Sequence, residues 1–261
     1  MAITLRSRRE IGLMRKAGAV VADVLLKLKE ISEPGITTAW LDRVALQMAA
    51  EAGAEALFKG VRSPVARMPF PGAICASIND EVVHGIPSED TKLKNGDILS
   101  IDFGVRLNGY CADAAITIAI GEISEDRRKL MDTTKRVLDI AIKKSSPAVR
   151  WSQVAKEMQR CAESAGFSVV KDFVGHGIGR QMHEEPRVPN FVSNELLAND
   201  IVLAEGMVLA VEPMINAGSS AVRTLKNGWT VVTRDGKSSA HFEHTIVILE
   251  NGCEVLTIKE Q

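Results

Sequence analysis

The sequence repeats one pattern after 110 residues, and this repeat limits the possible folds more than any other feature. GDILSID at residues 96–102 recurs as GMVLAVE at residues 206–212, and the predicted helix residue Val44 recurs as Val154. In both copies, helical patterns come first and strand-like runs follow. We interpret the repeat as an ancient duplication rather than as a solenoid.

Each copy begins with two predicted helices. In the first copy, a capping-box sequence at Ser7 starts one helix and Thr38 starts the next. In the second copy, the corresponding helices start near Ser124 and Trp151. Because both copies place two helices before their strands, the sequence predicts an α+β fold in which helices cover one side of an antiparallel sheet.

The two halves, at about residues 1–122 and 123–261, are expected to share one sheet. No linker rich in proline, glycine or serine separates them. With 261 residues, of which 46% are hydrophobic, the chain is long enough to bury a full core. We therefore predict a single domain over residues 1–261.

Charge and cysteine content argue against several classes of protein. The net charge of -1 and the aromatic content of 4% do not suit direct binding of nucleic acid. The four cysteines are scattered and form no C-x-x-C pair, which argues against a zinc ribbon or a disulfide framework. No signal-peptide pattern is present, and no run approaches the ~18 apolar residues of a membrane span. We expect a cytoplasmic protein with no membrane association.

One predicted hairpin places two carboxylates on the same face of a sheet. Asn108-Gly109 between alternating apolar runs indicates a type I′ turn. The register of that turn puts Gly104 opposite Asp113, with Asp102 two residues from Gly104 on the same face. Such diagonal neighbours have Cβ atoms about 7–8 Å apart. Burying both acids requires a cation, an Arg or Lys partner, or a raised pKa.

Carboxylates occupy matching places in the second copy. Glu212 ends GMVLAVE where Asp102 ends GDILSID, and Glu243 opens an apolar run as Asp113 does. No basic residue stands inside GDILSID or GMVLAVE to pair with these acids. A single acid at a strand end is more often a turn or cap residue. Its recurrence at matched places favours a positive centre from outside the chain.

Histidines also recur between the copies. His84 in VHGIP and His176 in GHGIG share the tripeptide His-Gly-Ile, ahead of the acid-bearing strands. Oxygen ligands with one nitrogen and no thiolate suit Mn, Fe, Co or Zn, and two ions fit the number of candidate ligands. A phosphate cradle at HGIG is the alternative, but the Lys and Ser/Thr of a P-loop are absent.

Several motifs together resemble those of the type I methionine aminopeptidases, in the M24 family of pita-bread metallopeptidases. The resemblance covers about residues 3–258 and includes MRKAG, SINDEVVHGIP, SIDFGVRLNGYCADAA, GHGIG, EPMI, KNGWTVVT and SAHFEHT. Only 31 positions separate Glu212 from Glu243, where type II members carry an insertion. The resemblance implies that pseudo-twofold-related halves share a curved antiparallel sheet covered by helices, which is the pita-bread fold.

The resemblance also implies a site for two divalent metal ions, which could be Co, Mn, Fe or Zn. The five implied ligands are Asp102, Asp113, His176, Glu212 and Glu243. Asp113 and Glu243 match the two carboxylates that bridge the ions. Four of these ligands are the acids that the duplication places at matching positions.

Further residues are implied to contact the substrate. They are His84, His183, Phe70, Cys75, Met182 and Trp229. His84 matches the histidine near the scissile amide, and His183 matches the one near the carbonyl oxygen. The other four match the lining of an apolar methionine pocket, for which ordinary packing is the alternative. The chain departs from the family pattern at Met182, where an aromatic ring is common, and at Arg67, near a usual tyrosine.

The implied activity is removal of the initiator methionine from nascent proteins whose second residue is small. Hydrolysis would use a metal-activated water, with Glu212 accepting its proton and His84 and His183 stabilising the developing charges. The implied partner is the nascent N-terminus at the ribosome, and we expect a monomer. Two alternatives are an Xaa-Pro peptidase, whose relatives usually carry a separate N-terminal domain, and a binding protein with an inactive pita-bread domain, which would lack metal ligands.

Overall fold

A computed structural model of the chain describes residues 3–259. The outermost ends of the predicted domain, residues 1–2 and 260–261, lie outside the described residues. Within the described range, no helix combines the length and the apolar character that crossing a membrane requires.

The four predicted helices are confirmed, and a short fifth helix follows them. The helices are α1 (Arg8–Ile31), α2 (Thr38–Glu51), α3 (Glu125–Lys144), α4 (Trp151–Ser164) and α5 (Asn194–Ala198). Ser7 caps α1 through the predicted capping box with Glu10. Ser124 caps α3, where its hydroxyl accepts a hydrogen bond from the Arg127 backbone N–H.

Fifteen strands complete the described part of the chain. They are β1 (Glu55–Ala56), β2 (Cys75–Ile78), β3 (Glu81–Val83), β4 (Ile98–Leu107), β5 (Tyr110–Ala119), β6 (Ser168–Val169), β7 (Gly175–Gly177), β8 (Glu184–Val188), β9 (Val208–Val211), β10 (Met214–Asn216), β11 (Val222–Thr224), β12 (Val231–Thr233), β13 (Ser239–His241), β14 (Glu243–Leu249) and β15 (Gly252–Val255). All their pairings are antiparallel, in one nine-stranded sheet and two three-stranded sheets.

The large sheet is shared by the two halves of the chain, as the repeat predicts. Its central strands follow the order β4-β5-β14-β9. On the outside, β2 pairs with β4 and β7 pairs with β9. The order β2-β4-β5 in the first half is therefore mirrored by the order β7-β9-β14 in the second half. The two copies therefore meet at the β5–β14 pair, which brings their acid-bearing strands together.

The β4–β5 hairpin has the predicted turn and register. Asn108 and Gly109 both have positive φ, at 52° and 79°, as a type I′ turn requires. Gly104 pairs with Asp113, and Asp102 pairs with Ala115. A one-residue slip would turn both acids to the other face, so this turn fixes their side.

Side chains alternate across the sheet, so that one face packs on helices and the other carries the acids. On β4, Ile101 and Phe103 join a core cluster that includes residues of α1 and α2. Asp102 lies between them and therefore points the opposite way. On β9, Leu209 and Val211 join the core formed with α3 and α4. The predicted α+β arrangement of helices over an antiparallel sheet is confirmed.

Candidate metal centre and adjoining cavity

Two neighbouring strand pairs bring the carboxylates of the two halves together. Ala115 on β5 pairs with Asp102 on one side and with Glu243 on the other. Asp113 lies two residues from Ala115 and therefore on the same face. On the far side of β14, Val211 pairs with His244. If that antiparallel register continues by one residue, Glu212 lies next to Glu243 at the start of β14.

Three of the five implied ligands form a compact buried cluster. One ligand atom from each of Asp113, His176 and Glu243 lies within 4.8 Å of the other two. Glu212 lies beside this cluster, since its Oε1 is 3.6 Å from Nε2 of His176. Asp102 lines the same cavity as the other four. The five residues are thus gathered, with Asp113 at the position where both halves meet.

In the described part of the chain, the carboxylates have no protein cation to neutralise them. Buried oxygen atoms of Asp102, Asp113 and Glu243 have no hydrogen-bond partner. Within residues 3–259, no Lys or Arg forms an ion pair with these acids or with Glu212. Burial, together with repulsion from neighbouring acids, raises the pKa of Asp102, Glu212 and Glu243 well above the usual range. Among the described residues, no Arg or Lys partner therefore explains these buried acids.

His176 presents a free ring nitrogen to the cluster. Its Nδ1 lies 2.9 Å from the carbonyl oxygen of Gly177, which can only accept a hydrogen bond. Nδ1 therefore carries the hydrogen, and the lone pair of Nε2 faces Glu212. Burial lowers the pKa of His176 to about 4, so the ring is neutral near pH 7. A neutral imidazole whose other nitrogen is hydrogen-bonded to a carbonyl is the usual form of a metal ligand.

The donor set fits a divalent cation. It offers carboxylate oxygens without partners, one neutral imidazole nitrogen and no thiolate in the three-residue cluster. Hard-to-borderline divalent ions prefer this combination. A cation would also remove the cost of burying several acids beside one another.

The cluster of Asp113, His176 and Glu243 opens into a cavity of about 510 Å³. The five implied ligands line this cavity. So do all six residues implied to contact the substrate, which are Phe70, Cys75, His84, Met182, His183 and Trp229. Arg67, by contrast, is exposed and does not line the cavity. Of the two departures from the family pattern, only Met182 therefore alters its wall.

His84 is held in an uncommon backbone conformation beside the cavity. Its φ is 59°, in the left-handed region. The next residue, Gly85, packs so closely on the carbonyl oxygen of Ala76 that a Cβ would overlap it. The His84 ring makes edge contacts with Phe173 at 5.6 Å and Trp229 at 6.4 Å between ring centroids. Burial lowers the pKa of His84 to about 4, so the ring is neutral near pH 7.

His183 lies beside the cluster of Asp113, His176 and Glu243. Its ring centroid is 4.3 Å from that of His176. The surrounding protein lowers the pKa of His183 by desolvation, which favours the neutral ring. Two neutral imidazoles, His84 and His183, therefore border a site crowded with carboxylates.

An apolar wall adjoins these polar groups. Phe70 and Cys75 are buried, and Met182 and Trp229 pack against them. The rings of Phe70 and Trp229 meet edge to face at 5.3 Å, and Nε1 of Trp229 donates to the Met68 carbonyl oxygen at 2.9 Å. Burial raises the pKa of the Cys75 thiol, which keeps it uncharged.

The family model of metallopeptidase family M24 matches residues 12–250. The chain belongs to metallopeptidase family M24. It is 48% identical to a methionine aminopeptidase of Clostridium perfringens over 98% of this chain and 99% of that protein. Methionine aminopeptidase 1 of Bacillus subtilis is 45% identical, over 98% of this chain and 99% of that protein.

Solved structures confirm the pita-bread fold of this M24 chain. A crystal structure of methionine aminopeptidase from Thermotoga maritima matches with a TM-score of 0.92 and 40% identity, covering 98% of this chain and 100% of that one. A prolidase from Pyrococcus furiosus matches with a TM-score of 0.76 and 21% identity, covering 98% of this chain and 66% of that one. The prolidase therefore supports the M24 fold alone.

Sequence reasoning missed one buried residue of the M24 site, His241. Its Nε2 is buried without a hydrogen-bond partner and lies 4.0 Å from Oε2 of Glu212. Glu212 is thus flanked by two imidazoles, with His176 near its other oxygen. The signal was present in SAHFEHT, because His241 stands two residues before Glu243. Only the fold places it beside Glu212, which follows the end of β9.

The metal-free M24 protein is expected to lose stability as the pH rises above about 7. Burial raises the pKa of Asp113 to about 7, and the pKa values of the other three acids lie well above their usual range. The folded chain therefore binds protons that the unfolded chain has already released. Each acid that remains protonated lowers the free energy of unfolding by about 1.4 kcal/mol per pH unit.

Histidines do not offset this trend, because in that window they are neutral in both the folded and the unfolded chain. Thermal melts of chelator-treated protein should show a melting temperature that falls across the window. Protein saturated with Mn(II) should show a much smaller fall, since the metal replaces the protons. A metal-free melting temperature that rises with pH would contradict the assignment of buried, uncompensated acids.

Proposed function

We propose that this M24 chain is a metal-dependent aminopeptidase that removes the N-terminal methionine from polypeptides whose second residue is small. One observation carries the proposal: the buried cluster of acids and His176 opens into the same cavity as the apolar wall of Phe70, Cys75 and Trp229. A hydrolytic centre and a pocket for an unbranched apolar side chain are thus next to each other. Relatives that are 48% and 45% identical carry the name methionine aminopeptidase.

The five gathered residues are proposed to hold two divalent ions, of Co, Mn, Fe or Zn. Asp113 and Glu243, whose ligand atoms are close together, would each help to hold both ions. Bound ions of this kind lower the pKa of water towards neutrality and act as Lewis acids on a carbonyl oxygen. The protein supplies the ligand geometry and excludes bulk water from the buried acids.

Glu212 is assigned as the proton acceptor. It lies between His176 and His241, at 3.6 Å and 4.0 Å, so its carboxylate is bordered by polar groups on both sides. The backbone of Glu212 is also fixed, because its carbonyl oxygen accepts a hydrogen bond from the Asn190 side chain at 3.1 Å. A held carboxylate of this kind can take a proton from water and pass it to the leaving amine.

His84 and His183 are assigned to the reacting amide. Both rings are neutral near pH 7 and each has one N–H to donate. His183 stabilises negative charge that develops on the carbonyl oxygen, and His84 contacts the substrate near the scissile nitrogen. Neutral donors suit this site because they can supply a hydrogen bond without themselves carrying charge.

The apolar wall is assigned to the methionine side chain. Phe70, Cys75, Met182 and Trp229 offer aromatic edges and sulfur atoms to a thioether, with no charged group among them. The His84 ring adjoins this wall through its edge contact with Trp229. The small second residue of the substrate is proposed to lie beside these two rings.

The proposed substrates are the N-termini of nascent polypeptides, which this chain meets at the ribosome in the cytoplasm. The chain is proposed to act as a monomer and without direct contacts to nucleic acid.

A metal titration tests the number of ions. Calorimetry of chelator-treated protein with Mn(II) should give two equivalents per chain, with activity on a Met-Ala-Ser peptide recovered as metal is added. Glu243→Gln should reduce the count, because the bridging position loses a carboxylate oxygen. A single equivalent that restores full activity would contradict the two-ion arrangement.

A further inference from the structure

The His183 side chain has few anchors of its own. It lies on the loop that joins β7, which ends at Gly177, to β8, which begins at Glu184. The His183 ring is solvent-accessible, and its one aromatic partner within residues 3–259 is the His176 ring. No hydrogen bond within that range fixes the His183 side chain. Its direction therefore depends on the backbone of the loop.

Glu184, at the C-terminal end of this loop, binds its backbone. Its Oε1 accepts hydrogen bonds from the backbone N–H groups of Arg180 at 2.8 Å and Gln181 at 3.1 Å. Its Oε2 accepts a hydrogen bond from the guanidinium of Arg6, which lies 178 positions away in the chain. The residue next to His183 thus ties the loop to the segment that precedes α1.

Arg6 also fills the space under the start of the loop. A Cβ at Gly179 would overlap the guanidinium of Arg6, so the backbone and the side chain are in direct contact. The other side of Gly179 is bound to the sheet, where its carbonyl oxygen accepts from the Cys111 backbone N–H at 2.7 Å. The loop is therefore clamped between β5 and the Arg6 side chain.

Arg6 is itself rigidly held. Its backbone N–H donates to the Gly206 carbonyl oxygen at 2.7 Å, in the turn before β9. Its side chain is only 5% exposed and also lies 3.9 Å from Glu10, whose Oε1 accepts from the Tyr110 hydroxyl at 2.8 Å. The Arg180 guanidinium donates to the same hydroxyl at 2.8 Å, which links the loop to this network a second time.

The Arg6–Glu184 pair is expected to matter more than an ordinary surface ion pair. The Glu184 side chain is 18% exposed and that of Arg6 is 5% exposed. Removing one partner of such a pair leaves the other charge uncompensated in a poorly solvated place. Exposed ion pairs, in contrast, contribute about 0–1 kcal/mol.

We infer that Arg6 is a positioning residue for His183, acting through Glu184 and the loop at residues 178–184. The inference rests on the proposed function only for its catalytic consequence. These contacts predict that loss of the Arg6 guanidinium weakens the hydrogen bonds from the Arg180 and Gln181 amides to Glu184. The His183 ring then moves away from the carbonyl oxygen of the bound peptide. Of the apolar wall, Met182 alone lies in this loop, whereas Phe70, Cys75 and Trp229 come from other segments.

The test compares Arg6→Met with wild type in two independent measurements. Hydrogen exchange at the Arg180 and Gln181 amides is expected to become at least tenfold faster, with α3 and α4 unchanged. On a Met-Ala-Ser peptide with Mn(II), kcat is expected to fall about tenfold or more, while KM changes less than threefold. Glu184→Gln should reproduce both effects, and it serves as the second variant if Arg6→Met folds poorly.

Two controls separate positioning from general damage. Arg15→Met removes another ion pair that joins α1 to a distant strand, with Glu254, and should leave kcat and loop exchange within twofold of wild type. In a His183→Ala background, Arg6→Met should lower kcat by less than twofold, because the effects of two substitutions that act through the same group are not additive.

Unchanged loop exchange in both variants, or a full tenfold loss in the His183→Ala background, would overturn the inference. If wild type does not cleave the peptide, the proposed function fails, but the exchange measurement still decides whether Arg6 holds the loop.

Discussion

Asp113→Ala is expected to lower kcat/KM on a Met-Ala-Ser peptide by about 10³-fold or more, which is about 4 kcal/mol of barrier. Asp113 lies where the two halves meet, and its ligand atom is within 4.8 Å of those of His176 and Glu243. If it bridges two ions, its loss weakens both positions at once. The purified variant should also retain less metal than wild type.

Loss of the fold should not explain this result. The Asp113 backbone is held by Thr245, whose hydroxyl accepts from its N–H at 3.0 Å and donates to its carbonyl oxygen at 2.8 Å. Both bonds remain in the alanine variant. Burial already penalises the ionised Asp113 side chain, so its removal should leave the metal-free protein at least as stable as wild type near pH 8.

A matched control is available in the same cavity. Asp172 lines the cavity but is exposed and lies outside the three-residue cluster. Asp172→Asn removes the same charge and should change kcat/KM less than about threefold, as expected for a solvated surface group. Normal turnover by Asp113→Ala, measured beside this control, would refute the bridging role of Asp113.

The part of the site that sequence could predict is the part governed by local rules. Asn108-Gly109 sets a two-residue turn, and the period of two then decides which residues of β4 and β5 share a face. The side on which Asp102 and Asp113 lie follows from these rules alone. The duplication then indicated Glu212 and Glu243 as their counterparts.

The remaining features depend on contacts between distant segments, which no local pattern encodes. His241 is buried beside Glu212 only because β13 pairs with β10, the strand that follows Glu212. Arg6 meets Glu184 across 178 positions, and both look like ordinary surface charges in the sequence. The resemblance, rather than any periodicity, indicated His183 and the apolar wall around Phe70.

The chain is expected to discriminate strongly between peptides by their second residue. Met-Ala-Ser should be cleaved at least about 10²-fold more efficiently than Met-Leu-Ser, since a larger side chain must be accommodated in a packed site. The edge contacts of His84 with Phe173 and Trp229 leave little freedom to enlarge the space next to the scissile amide. Acetyl-Met-Ala-Ser should resist cleavage, because an exopeptidase requires a free α-amine.

The comparison of Met-Ala-Ser with Met-Leu-Ser, with Mn(II) or Co(II) added to chelator-treated protein, tests the central claim most directly. Release of free methionine is measured for both peptides, with the metal-free protein as the blank. We predict metal-dependent release from Met-Ala-Ser and at least about 10²-fold slower release from Met-Leu-Ser. No release of methionine from Met-Ala-Ser with either metal would contradict the assigned activity, and equal release from both peptides would contradict its selectivity.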